Sequence, residues 1–207
     1  MARYTGPVCR LCRRERMKLF LKGTKCDTMK CPIERRPYPP GDHGRTRRQT
    51  TSEYLTQLRE KQKARRIYGL VEKQFANLYE EASRQQGVTG ENLLRLLESR
   101  FDNVLVRLGF AASRRQARQL ITHGHWQING RRVNIPSYQV RPEDIISIKS
   151  GSNATDTIQR ATELVSTVPA WLQADHDALT AKVLRYPERS EISAPVQEQL
   201  IVELYSK

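Results

Sequence analysis

Ser113-Arg-Arg-Gln-Ala-Arg-Gln-Leu-Ile-Thr-His-Gly-His-Trp-Gln-Ile-Asn-Gly-Arg-Arg-Val133 is the stretch that decides the fold of this chain. Ser113 followed by Gln116 reads as a capping box that starts a helix. Ala117, Leu120 and Ile121 form its apolar face, and it stops near His123-Gly124. Trp126 to Ile128 then alternates as a strand. Asn129-Gly130 is the preferred pair for a two-residue hairpin turn, and Arg131-Arg132-Val133 begins the return strand. Upstream, Phe101, Val104, Leu105 and Leu108 line one face of a helix ending at Gly109. Downstream, Ile145 to Ile148 reads as a later strand. The expected fold is α+β, with two short helices packed on a small antiparallel sheet. That unit presents Arg114, Arg115, Arg118, Arg131 and Arg132. Helix N-termini already favour anions, so arginines in the first turns add guanidinium forks to free amide donors.

The charge points the same way. Lys and Arg number 36 against 22 Asp and Glu, a net of +14, so the chain needs a polyanionic partner. The excess is concentrated: residues 1–66 hold 19 basic and 6 acidic side chains, and residues 99–132 hold seven arginines against Asp102 alone. Residues 133–207 carry 7 basic and 10 acidic residues, so this third is expected to face protein rather than phosphate. No apolar run approaches the roughly 18 residues that span a bilayer. The N-terminus lacks a signal-peptide core. A cytoplasmic protein without a membrane or small-molecule partner is expected.

All four cysteines, Cys9, Cys12, Cys26 and Cys31, lie near the N-terminus as C-x2-C and C-x4-C pairs. Two close pairs joined by a loop suit tetrahedral zinc, and the surrounding Arg and Lys favour thiolates. A four-cysteine set also suits an iron–sulfur cluster, and spacing alone does not separate the two. Disulfides are disfavoured in a reducing cytosol. Four cysteines leave no open coordination position, so the expected role of the metal is structural.

Pro37 to Gly44 is rich in breakers and reads as loop, followed by Arg45, Arg47 and Arg48. Thr50-x-x-Glu53 fits a capping box. Leu55, Leu58, Ile67, Val71, Phe75 and Leu78 continue at helical spacing, with a break or bend at Gly69. Arg59, Lys61, Lys63, Arg65 and Arg66 lie on the less apolar side. Such runs are commonly solvated faces. Here only Glu60 offsets five cations within the run, so phosphate contact is expected. A further helix over about Glu91 to Ser99 carries core leucines at 93, 94, 96 and 97. Residues 157–166 read as a short helix, and Trp171 as core.

Phe101-Asp-Asn-Val-Leu, Ser113-Arg-Arg-Gln-Ala-Arg-Gln-Leu, His123-Gly and Asn129-Gly-Arg resemble the RNA-binding module named after small-subunit ribosomal protein S-four. Pro40-Gly-Asp-His-Gly, Ser52-Glu-Tyr, Leu58-Arg-Glu-Lys-Gln-Lys, Arg65-Arg-Ile-Tyr-Gly, Val133-Asn-Ile-Pro-Ser-Tyr and Leu200-Ile-Val-Glu-Leu-Tyr-Ser extend the likeness to the bacterial S-four family almost end to end. It is weakest over residues 152–168. The resemblance implies a primary binder of small-subunit ribosomal RNA that nucleates assembly at a junction in the 5′ domain. It implies contact with ribosomal protein S-five, and with messenger RNA at the entry channel, with an effect on decoding accuracy. Arg45, Arg47 and Arg48 match positions near messenger or junction RNA. By the same likeness Ser113, Gln116, His123 and Asn129 join the arginines as candidate RNA contacts. Some family members lack the cysteines, so the metal belongs to this branch.

The implied organisation is a cysteine-bearing basic segment over 1–45, a discontinuous helical domain over 46–98 plus 190–207, and the RNA-binding domain with its extension over 99–189. Alternatives are a stand-alone translational repressor or an RNA-modifying enzyme. Arg100-Phe-Asp102 faintly resembles the Arg-Leu-Asp stretch of pseudouridine synthases. Nothing beyond residue 150 is long enough to supply their catalytic sheet, and Asp102 reads as an acidic residue near a helix start. The four histidines pair with no Ser or Asp in a catalytic pattern. The expectation is a binder, not an enzyme.

Overall fold

The computed structural model describes residues 2–46, 52–164 and 167–206. Among these, the first helices are α1 (Cys9–Glu15), α2 (Pro32–Arg35), α3 (Glu53–Ile67), α4 (Glu72–Arg84) and α5 (Thr89–Glu98). Then come α6 (Phe101–Arg107), α7 (Arg114–Thr122), β1 (Trp126–Ile128), β2 (Arg131–Arg132), β3 (Ile145–Ile148) and α8 (Thr155–Thr162). The chain ends with β4 (Leu172–Asp175), β5 (Thr180–Val183) and α9 (Glu198–Tyr205). No described helix is long and apolar enough to cross a membrane. The chain forms two compact units, Met1–Leu93 with Ala194–Lys207, and Leu94–Ser193, so the division falls inside α5.

In the first unit the cap of α3 lies two residues later than the sequence suggests. Thr50 lies outside the described residues; Ser52 is the cap, and its Oγ accepts the Leu55 N–H at 3.2 Å. A cap needs extended backbone and a hydroxyl within reach of the third helical amide, and Ser52 has both (φ −91°, ψ 157°). The helix closes at Tyr68, where the Leu70 N–H reaches back to the Arg65 carbonyl at 2.9 Å, so the chain does break at Gly69. Ala64, Ile67, Tyr68, Phe75, Leu78 and Ala82 form the interior with Ile201 of α9. Leu55 and Leu58 are only half-buried, while Gln57 is buried instead. Its Nε2 donates to Glu203 Oε2 at 3.1 Å, which occupies Glu203 within the chain. Tyr205 stacks on Tyr79 with ring centroids 4.3 Å apart, and its hydroxyl donates to Glu72 Oε1 at 3.1 Å.

The second unit carries one core of helix and sheet residues. Phe101, Val104, Leu105, Leu108, Ala117, Leu120, Ile121, Trp126, Ile128, Ile146 and Trp171 all belong to it. The sheet has five antiparallel strands in the order β2-β1-β3-β5-β4. It is larger than the sheet read from sequence, because β4 and β5 extend it beyond β3. Their turn rests on Asp175, whose Oδ1 accepts the N–H groups of Asp177 and Ala178 at 3.1 and 2.9 Å. The β1–β2 turn has Asn129 at φ 50° and Gly130 at φ 74°, the left-handed pair a type I′ hairpin demands.

Between α6 and α7 sits a buried carboxylate. Asp102 accepts Arg100 Nε at 3.1 Å and Arg100 Nη2 at 2.9 Å, and Arg118 Nε reaches it at 2.7 Å. Removing one partner of a buried charge cluster strands the others. Asp102→Ala is therefore expected to lower unfolding stability by about 3 kcal/mol, measured by denaturant titration of the full chain. A change within about 0.5 kcal/mol would show that the two guanidiniums find water instead.

Stability should also depend on the acid limb of pH. Burial alone would raise the Glu72 carboxyl. Its hydrogen bonds from Lys61 and Tyr205, together with the Lys61 and Arg65 charges, outweigh burial and hold it below its ordinary 4.5. A carboxyl depressed by folding stabilises above its unfolded pKa and loses that contribution as pH falls through the folded one. Glu72→Gln should therefore narrow the stability difference between pH 7 and pH 3; an unaltered pH profile would contradict the network.

Candidate nucleic-acid interface

The arginines of residues 99–132 fall into two sets. One set is held internally. Arg118 is clamped on Asp102, and Arg114 Nε donates to Asn103 Oδ1 at 2.9 Å. Asn103 Nδ2 in turn donates to Glu98 Oε2 at 2.6 Å, and Glu98 takes Arg107 through both oxygens at 2.9 and 2.7 Å. Arg107 also reaches Ser193 Oγ at 2.9 Å. The second set, Arg115, Arg131 and Arg132, is exposed, as is His123.

Arg132 is not a loose side chain. Its Nη2 points at the His123 carbonyl at 3.4 Å. A Cβ built on Gly124 would lie 2.1 Å from Arg132 Nε, so the guanidinium rests where only glycine leaves room. Gly124 itself stands at φ 75°, a conformation glycine adopts without strain.

Three candidate contacts spend their polar atoms inside the protein. Ser113 Oγ accepts the Gln116 N–H at 3.3 Å. Gln116 Oε1 accepts from Ala112 N–H at 2.9 Å, so its side chain bonds one residue earlier than a reciprocal capping box would. Asn129 Nδ2 donates to Asp144 Oδ1 at 2.8 Å while its Oδ1 accepts the Ile145 N–H at 2.9 Å. These residues shape the surface and pin the hairpin tip.

In the first unit the five cations of α3 meet more acid than their own helix carries. Arg59 and Arg66 bond Glu15 of α1, Lys61 and Arg65 bond Glu72 of α4, and Lys63 bonds Glu60. Their side chains are only 11–23% exposed, so this face is largely an internal ion-pair network rather than an open cationic stripe. Burial pushes the Glu15 carboxyl up against the pull of both arginines, and pushes Arg59 and Arg66 down. No local pattern in the sequence pairs Glu15 with residues 59 and 66, which is why these acids were missed. Arg45 is exposed and lies over the Tyr38 ring at 5.0 Å, as does Arg13. Arg13 Nε also holds the carbonyls of Arg36 and Tyr38 at 3.1 and 3.0 Å, which fixes the approach to the basic loop. Arg47 and Arg48 lie outside the described residues.

The four cysteines are unpaired; Cys12, Cys26 and Cys31 are buried and Cys9 is half-buried. The Lys22 N–H donates to Cys26 Sγ at 3.3 Å. Burial pushes the Cys12 and Cys26 thiols up, against the lowering effect of a backbone hydrogen bond to each. Among the described residues no group of three or more His, Cys, Asp or Glu side chains is gathered in a metal-holding arrangement.

The sequence matches two family models in succession. Ribosomal protein S4/S9 N-terminal domain covers residues 3–98, and S4 domain covers residues 99–146. Small ribosomal subunit protein uS4 of Acidothermus cellulolyticus is 62% identical over 209 positions, spanning all of both chains. The proteins of that name from Natranaerobius thermophilus and Thermoanaerobacter sp. are 58% and 57% identical, again over the full length of each. Exposed arginines on a helix–hairpin unit agree with that likeness. The chain belongs to the small ribosomal subunit protein uS4 family.

Proposed function

We propose that this protein is a structural constituent of the small ribosomal subunit, binding ribosomal RNA in the cytoplasm. The observation that carries this reading is full-length identity of 57–62% to proteins named for that subunit. The geometry supplies the means. Arg115, Arg131 and Arg132 stand exposed on a packed unit, where their guanidinium forks can meet phosphates. Arg114 and Arg118 are half-buried and shape the same surface from within. Aromatic residues are only 7% of the chain, which favours recognition of RNA contour and phosphate over wholesale base stacking. No catalytic role falls to Asp102, since arginines take both of its oxygens.

The finer assignments rest on the resemblance to the family. The RNA target is the 5′-domain junction of the small-subunit RNA. Arg45, with Arg47 and Arg48, faces junction or messenger RNA, and a neighbouring ribosomal protein, S-five, is a partner. Arg59, Lys61, Lys63, Arg65 and Arg66 serve the fold first, and reach phosphate only where an ion pair opens.

Cys9, Cys12, Cys26 and Cys31 would hold a zinc ion on drawing together thiols that the described residues do not gather into a metal-holding group. Three are buried, and Cys26 sulfur already accepts a backbone N–H, a compensation suited to a metal-bound thiolate. The ion would supply a structural cross-link between α1, the 3-10 turn at Gly23–Cys26 and the start of α2. Elemental analysis of the purified chain should give one zinc per molecule; iron with sulfide would favour the cluster alternative, and a folded metal-free N-terminus would refute both.

The RNA-binding surface has its own test. Reversing Arg115, Arg131 and Arg132 to Glu should weaken binding to small-subunit RNA. It should also reduce the salt slope by about one unit per lost phosphate contact. Filter binding across a salt series reads both. Unchanged slope and affinity would remove this surface from the interface, and absence of the endogenous protein from small subunits at moderate salt would end the ribosomal reading.

A further inference from the structure

Beside the β1–β2 hairpin lies a cleft of ≈ 600 Å³. Ile128, Val133, Ile135 and Tyr138 give it apolar and aromatic walls, and Arg131 and Arg132 line it as well. None of the described residues lining it is acidic. Ile135 is 53% exposed and brings an apolar side chain to the cleft. Its neighbour Asn134 is also exposed and offers an amide donor and acceptor.

We propose that this cleft receives one unstacked nucleobase of the bound RNA, with the adjoining phosphates on Arg131 and Arg132. The proposal rests on the RNA-binding reading above and names a subsite within it. Two features select this occupant. The walls are apolar with one aromatic ring, the surface on which a splayed-out base stacks. Two arginines and no acid line it among the described residues, which favours a flat apolar group carried on an anionic backbone.

The cleft is held in shape from several sides. Asn129 ties the hairpin tip to Asp144 and to the Ile145 amide. The Tyr138 backbone is fixed through its carbonyl, which accepts the Phe101 N–H at 2.9 Å, and its N–H, which donates to Ile135 O at 3.1 Å. Gly124 leaves the space in which the Arg132 guanidinium lies. A base entering this site therefore meets a backbone already tied in place, which limits the ordering cost of binding.

The test uses the full-length protein on transcribed small-subunit RNA, with chemical probing of base edges. Wild-type protein should protect a single unpaired nucleotide in addition to its broader footprint. Ile135→Asp places a carboxylate in the cleft at an exposed position and should restore reactivity of that nucleotide by roughly tenfold while the rest of the footprint stays. As a second measurement, p-benzoylphenylalanine in place of Ile135 should crosslink to that same nucleotide in assembled subunits. A probing pattern identical for wild type and Ile135→Asp, a crosslink to a base-paired helix, or a crosslink to another protein would each overturn the proposal. A wild-type protein that leaves no footprint anywhere would instead sink RNA binding itself, and this subsite with it.

Discussion

A carboxylate buried between two guanidiniums is the interaction on which the rest of the second unit depends. Asp102 joins Arg100 before α6 to Arg118 in α7, and Glu98 links Arg107, Asn103 and, through Asn103, Arg114. The first unit repeats the device, with Glu15 taking Arg59 and Arg66. Ion pairs of this kind add little net stability over apolar packing, because each charge must leave water. Their effect is geometric: a buried acid with two fixed arginines holds two backbone segments in one relation, and no apolar contact is as directional.

That constraint resolves a problem posed by the charge. A chain with a net of +14 repels itself before it meets its polyanion. Placing acids inside, where screening is weakest, lets a few carboxylates neutralise the cations nearest the core. Other cations, among them Arg115, Arg131 and Arg132, lie at the surface.

The N-terminal segment follows a different route. Its interior is small: Val8, Leu19 and Ile33 are buried alongside three cysteines. So short a segment has too little apolar surface to hold itself by burial alone. Arg13 adds order by binding the carbonyls of residues 36 and 38 and lying over Tyr38. The aromatic ring shared by Arg13 and Arg45 carries that order toward the basic loop.

Much of the second unit was legible in the linear chain because its signals are local. A serine cap, an apolar face at helical spacing and an Asn-Gly turn each act within a few residues, so α7, β1 and β2 follow from neighbours alone. The strands β4 and β5 were not legible: four-residue segments with charged and polar members become strands only when β3 offers an edge. The same limit applies to the site. Sequence identified the arginines but not which of them face outward, since Glu15, Glu72, Glu98 and Asp102 choose their partners across folds of the chain. Residue type and spacing determined that this protein is a cationic α+β binder. Tertiary structure decided which cations are spent inside and which remain for a ligand, because ion pairing depends on distance in space and not on order along the chain.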